Sequence, residues 1–276
     1  MGLRAVLIVL VLLGPGCATT PRGPWVLDSR EMRVRPTRVG EWIASYQQAL
    51  AATLDVFEKD LGFPPLEVRL VFLPDEPTFE ALLLEIGYPA PLARDAAADM
   101  TAIGGHRSVL LNQERVERRS WPERVGLLAH ELTHVLQYEL GGGTRGESDQ
   151  WLREGYAEWV ESRVLQSLHL GDGDGDALRE ARGRLRGHRP ETLPPLTALG
   201  TFPEWVSRGR QGVGPLLYTQ AFAAVAFLIE RHGTPAVLDY FSRFAKSQDR
   251  NGNFEAAFGE SREAFEAAFR QSVWGR

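Results

Sequence analysis

The pentapeptide His130-Glu131-Leu132-Thr133-His134 sets two imidazoles four residues apart with a carboxylate beside the first. On an α-helix this spacing puts His130 and His134 one turn apart on the same face, where both reach one metal ion and Glu131 stands beside them as a base. Chance produces H-E-x-x-H in under about 1% of chains of this length. The bland alternative is a pair of satisfied core histidines. A catalytic zinc ion takes three protein ligands and keeps a fourth position for water, whose pKa it lowers to about 7. The third ligand must come from elsewhere in the fold. Glu154 lies twenty residues after His134 in the string WLREGYAEW. A helix there can fold back against the first and bring Glu154 to the ion, and the flanking Trp151, Leu152, Tyr156 and Trp159 argue against a merely solvated glutamate. Glu131, too close to His130 along the helix to be a comfortable ligand, takes the proton from the water and hands it to a leaving amine. The cofactor implied is one Zn2+ per chain.

The local sequence supplies the helices this chemistry needs. Ser120 with Glu123 forms a capping box, Pro122 suits a first turn, and glycines 141 to 143 end the helix. Val125, Leu128, Leu132, Val135 and Leu136 form an apolar stripe that anchors it, on a different flank from the two histidines. A polar connection from Gly141 to Asp149 follows, and Ser148 or Asp149 caps the next helix, Gln150 to about Gln166. Upstream, helical spacing runs from Val39 to Leu61, Leu66 to Leu73 alternates as a strand, and Pro77 to Ile86 reads as a helix. Thr101 to Gly105 and Ser108 to Asn112 form a glycine-joined hairpin beside the metal helix. Asp172, Asp174 and Asp176 lack the glycine and glutamate positions of an EF-hand and read as a solvated loop. From Gly214 onward helices alternate with turns at His232-Gly233, around Asn251-Gly252 and at Gly259.

HELTH followed by W-L-x-E-G-x-A-E resembles the gluzincin metallopeptidases, the thermolysin-like clan, and especially its bacterial peptidase MA-like group. The match covers about thirty residues, and beyond it the LPPLTAL stretch, the helix containing Tyr218 and the final Phe-rich helix are similar only loosely. The resemblance implies an α+β fold: a thermolysin-like catalytic lobe with a small antiparallel or mixed sheet and the H-E-x-x-H helix, followed by a helical C-terminal lobe. Glu154 matches the clan's third ligand. Glu158 matches the acidic residue that accepts a hydrogen bond from the first histidine, here His130, and fixes its tautomer. Tyr218 resembles the later tyrosine that steadies the oxyanion of the tetrahedral intermediate. By spacing alone, Tyr218 with Phe222, Val225 and Ile229 reads instead as a core tyrosine. His106, His188 and His232 are weaker candidates for that role. Ser108 to Asn112 looks like the edge strand that holds substrate backbone in such enzymes, or else an ordinary hairpin strand.

Composition adds an address and removes one class of partner. The net charge of -5 gives no reason to expect nucleic acid. Residues 1–17 read as an export signal: Arg4, an apolar run from Ala5 to Leu13, then Gly14-Pro15-Gly16-Cys17. The sole cysteine, Cys17, stands where a bacterial lipoprotein is cleaved and acylated; ordinary cleavage near Ala18 is the alternative. Either way the protein works outside the cytoplasm, in the periplasm or at the cell surface, and the lipidated form joins the membrane through its N-terminus. Residues 18–37 read as a tether and 38–276 as the metallopeptidase domain, with a sheet and zinc-helix lobe at 38–168 and a helical lobe at 190–276.

The expected function is zinc-dependent hydrolysis of peptide bonds in an exported peptide or protein. TAIGGHRSVLLN lacks the amine-binding glutamate of the clan's aminopeptidases, which favours an endopeptidase. The rival is a non-catalytic, zinc-stabilised peptide-binding or assembly lipoprotein that keeps the fold. Retention of Glu131 argues against it, because a structural site has no use for a base.

Overall fold

The computed structural model describes residues 23–34, 42–171 and 174–275. The export segment and Cys17 lie outside the described residues. A four-stranded sheet is followed by a long helical region, an α+β architecture. The strands β1 (Trp25–Asp28), β2 (Arg69–Leu73), β3 (Ala102–Gly105) and β4 (Ser108–Asn112) lie in the order β1-β2-β4-β3. The β2–β4 pair is parallel and the two outer pairs are antiparallel, so the sheet is mixed.

Both faces of the sheet are covered, which is why β4 is a short apolar run. Leu70, Phe72, Val109 and Leu111 point into the main core. They share it with residues of α1 (Tyr46–Lys59) and of α5 (Trp121–Leu140). Leu73 and Leu110 on the opposite face join a smaller cluster under α2 (Glu76–Glu85) and α3 (Ala90–Asp99). The main core continues from the sheet through α5 and α6 (Gln150–Ser167) into α9 (Gly214–His232) and α12 (Arg262–Trp274). The two expected lobes therefore share one apolar interior.

The expected stripe on α5 is fully buried: Val125, Leu128, Leu132, Val135 and Leu136. The Ser120 N–H and hydroxyl both donate to Glu123 at its start. Helix α6 crosses α9 very closely, and Gly155 permits it. A Cβ at residue 155 would sit 2.3 Å from the Ala221 carbonyl oxygen. Loop 141–149 is pinned to the helical region. The Asp149 N–H donates to the Tyr240 hydroxyl, and Gln248 Oε1 accepts from the Glu147 N–H.

Several boundaries depart from the sequence expectations, each for a local reason. The tether expected over 18–37 is interrupted by β1, where Trp25 stacks on Phe72 at 3.7 Å and donates to Gln113 Oε1. Helix α1 begins at Tyr46 because Ser45 accepts the Gln48 N–H. Asp149 is the N-cap residue of α6, yet its carboxylate accepts from Tyr240 and Arg262 rather than from the helix. Asp174 opens α7 (Asp174–Arg186) instead of lying in a loop. The turn expected at Asn251-Gly252 falls earlier, because Asp249 accepts the Gly252 N–H and starts α11 (Arg250–Phe258).

Candidate metal centre

Helices α5 and α6 pack antiparallel and bring His130, His134 and Glu154 together, with ligand atoms of all three within 4.8 Å of one another. His130 Nε2 lies 3.4 Å from Glu154 Oε2, and His134 Nε2 lies 3.7 Å from Glu154 Oε1. Ligands bound tetrahedrally to zinc at about 2.0–2.1 Å sit about 3.4 Å from each other, so these separations and this donor set fit the ion. The cluster, two half-buried imidazoles and one buried carboxylate, is consistent with a zinc-binding site of the kind found in zinc metalloenzymes.

The outer ring nitrogens are also occupied, as metal-ligating histidines require. His130 Nδ1 faces Glu158 Oε1 at 3.4 Å and Glu161 Oε2 at 3.5 Å. His134 Nδ1 faces Gln137 Oε1 at 3.0 Å, while Gln137 Nε2 donates to the Arg153 carbonyl. A carbonyl only accepts, so the amide orientation of Gln137 is set, and His134 carries its proton on Nδ1 with the Nε2 lone pair toward the cluster. Gln150 Nε2 donates to Glu154 Oε1 at 2.6 Å and holds that carboxylate in turn. Burial opposes charge on His130 and Glu154. Even so, Glu154, Glu158 and Glu161 raise the His130 pKa well above 6.5, and His134 and His130 hold the Glu154 carboxyl well below the usual carboxylate range.

Glu131 is 8% exposed and is not one of the three clustered groups. Its Oε2 accepts the Gly104 N–H at 2.6 Å, and Oε1 makes no hydrogen bond among the described residues. Strand β3 approaches this closely only because residue 104 lacks a side chain: a Cβ there would lie 2.4 Å from the Glu131 carbonyl oxygen. Strand β3 is the sheet edge on the cavity, while β4 is paired on both sides. Of the two readings of Ser108 to Asn112, this favours the ordinary hairpin strand over the substrate-facing edge. The parallel β2–β4 pairing, invisible to a local hairpin reading, puts that strand inside the sheet.

His130, Glu131, His134, Glu154 and Tyr218 line one cavity of about 930 Å³. Tyr218 is 36% exposed, so it faces the cavity and is not a core residue. On α9 the buried Leu217, Ala221, Ala224 and Leu228 each precede by one position the expected Tyr218, Phe222, Val225 and Ile229, of which only Val225 is buried. Burial and the nearby Glu154 raise the Tyr218 pKa, so the phenol keeps its proton at neutral pH. The other histidines lie elsewhere. His106 pairs with Glu139 at 3.2 Å, His232 pairs with Glu260 at 2.9 Å, and the His188 carbonyl accepts from Trp274.

Gln137, Gln150, Glu161 and Gly104 were not anticipated. Gln137 follows His134 by three residues, and Glu161 follows Glu154 by seven, so helical spacing carried a signal for both. Comparison with protein-family models, with curated proteins and with solved structures gives no match.

Proposed function

We propose that this chain is a zinc-dependent peptidase of gluzincin type, an endopeptidase that cleaves exported peptides or proteins. The observation that carries the reading is the separation of roles within one buried cluster. Three donors converge, and Glu131 stands apart from them, held by Gly104. A site that only stabilised the fold would need no such carboxylate.

His130, His134 and Glu154 would hold the ion. Zinc in that position supplies a positive charge that activates water and polarises a carbonyl. Glu131 takes a proton from the attacking water at Oε1 and returns it to the amine as the C–N bond breaks. The Gly104 N–H fixes the orientation of that carboxylate. Tyr218, protonated and on the cavity wall, donates to the oxyanion that develops on the carbonyl carbon's oxygen. Glu158, together with Glu161, orients His130. The open edge of β3 offers backbone groups to an extended peptide. In this reading the export segment carries the site out of the cytoplasm, and acylation at Cys17 anchors it to a membrane.

The test is a mixed peptide library presented to the zinc-loaded chain, with products read by mass spectrometry. Internal cleavage that requires zinc supports the proposal. Absence of any zinc-dependent product across the library refutes it. Mass spectrometry of the envelope-extracted protein tests the anchor, since an unmodified Cys17 or its removal with the leader contradicts lipidation.

A further inference from the structure

The cavity has a positive end at which no carboxylate among the described residues forms an ion pair. Arg153, one residue before Glu154, is 3% exposed and lines the cavity. Both of its hydrogen bonds leave from Nη1, to the Arg145 carbonyl at 3.1 Å and to Ser148 Oγ at 3.2 Å. Among the described residues no carboxylate lies within ion-pair distance of Arg153 or of Arg145, which lines the same cavity. The oxygens of Glu154 are directed to His130, His134 and Gln150. Of the other acids on the cavity wall, Asp95 is paired with Arg210, Glu131 accepts from Gly104, and Asp99 lies within ion-pair distance of neither Arg145 nor Arg153. A buried guanidinium without a counter-ion is unfavourable unless a ligand supplies one.

The two arginines also have a defined place relative to the metal cluster. The Arg153 guanidinium stacks over Tyr138, 5.6 Å from the ring centroid and one turn beyond His134 on α5. Arg145 donates to Gln150 Oε1, and Gln150 donates to Glu154. A group bound there therefore lies beyond His134, on the side of the cluster away from Glu158 and Glu161. Anchoring loop 141–149 to α6 explains the Nη1 bonds of Arg153 but leaves its Nη2 and Nε donors for a ligand.

We propose that Arg145 and Arg153 form a carboxylate-binding subsite that selects substrates with an anionic group near the cleaved bond. This rests on the peptidase reading for its use and on the unpaired arginines for its existence. The carboxylate comes from an acidic side chain or from the C-terminus of a peptide, and both sources suit the forked donors of arginine.

The experiment measures binding to the zinc-loaded chain by titration calorimetry. The probes are N-acetyl-leucine, N-acetyl-leucinamide and the half-acid N-acetyl-aspartic acid α-amide, in which only the side chain is ionised. At least one acid is expected to bind about tenfold or more tightly than the neutral amide. Preference for the first acid identifies a C-terminal carboxylate, and preference for the half-acid identifies a side chain. Arg145→Gln and Arg153→Gln should each bring acid and amide to within about twofold, and Arg145→Lys should keep part of the preference. If Arg153→Gln fails to fold, Arg145→Gln, in the loop, decides alone. Equal binding of acids and amide, no detectable binding of either acid, or a preference that survives Arg145→Gln overturns the subsite. Cleavage is followed separately in the same preparations. Loss of the peptidase reading with a retained carboxylate preference, or the reverse, tells the two failures apart.

Discussion

His134 Nδ1 and Gln137 Oε1 are 3.0 Å apart, and the far end of the same amide donates to the Arg153 carbonyl. This contact joins the metal helix to the helix carrying Glu154 and sets the His134 tautomer. Gln137→Leu, similar in volume, should lower zinc affinity about 10- to 100-fold, as other losses of such partners do. Competition with a chromophoric chelator measures it, and unchanged affinity would remove Gln137 from the site.

The charge state of the cluster sets a pH dependence. In the metal-free protein the raised pKa of His130 contributes stability that is present below 6.5 and is lost as pH rises through the folded value. The depressed pKa of Glu154 contributes stability that is present above 4.5 and is lost as pH falls through its folded value. The pair thus stabilises the metal-free fold most between 4.5 and 6.5. Zinc requires neutral imidazoles, so its stabilisation grows as pH rises. Melting curves with chelator and with zinc, from about pH 5 to 9, should diverge with increasing pH. A gap that stays constant would contradict proton competition at His130.

Tyr218→Phe removes one hydroxyl from the cavity wall without touching a metal ligand. The turnover number should fall about 10²- to 10³-fold while zinc content stays the same. If kcat is unaltered, Tyr218 only shapes the cavity.

Gly155→Ala forces a methyl group against the Ala221 carbonyl at the α6–α9 crossing. Overpacking of this kind costs about 1–3 kcal/mol. Because residue 155 adjoins Glu154, the displacement should also weaken zinc binding. A melting temperature equal to wild type would show that the two helices have room to separate.

The parts of this molecule legible in its sequence are those set by local periodicity. The α5 cap, its buried stripe and the His130, His134 and Glu154 convergence all follow from spacing along two helices. Strand β1 was hidden because four residues in a proline- and arginine-rich stretch gain their strand character only by pairing with β2. Helix α3 was hidden because its buried face is Ala93, Ala96 and Ala97, too small to produce a strong apolar signal. The Gly104 contact to Glu131 and the edge position of β3 depend on the parallel β2–β4 pairing, which no local pattern encodes. Spacing alone puts Tyr218 in the core by a single step of helical phase, since Leu217 rather than Tyr218 faces inward, whereas the resemblance puts it at the site, where it lines the cavity.

Glu131→Gln is the most direct measurement of the central claim, because it keeps the shape of the side chain and removes only its basicity. Zinc per chain and cleavage of the peptide library are measured together for wild type, Glu131→Gln and His134→Ala. The account predicts one zinc and cleavage in wild type, one zinc with cleavage reduced at least about 10³-fold in Glu131→Gln, and neither in His134→Ala. Wild type and Glu131→Gln that behave alike on every substrate would contradict it.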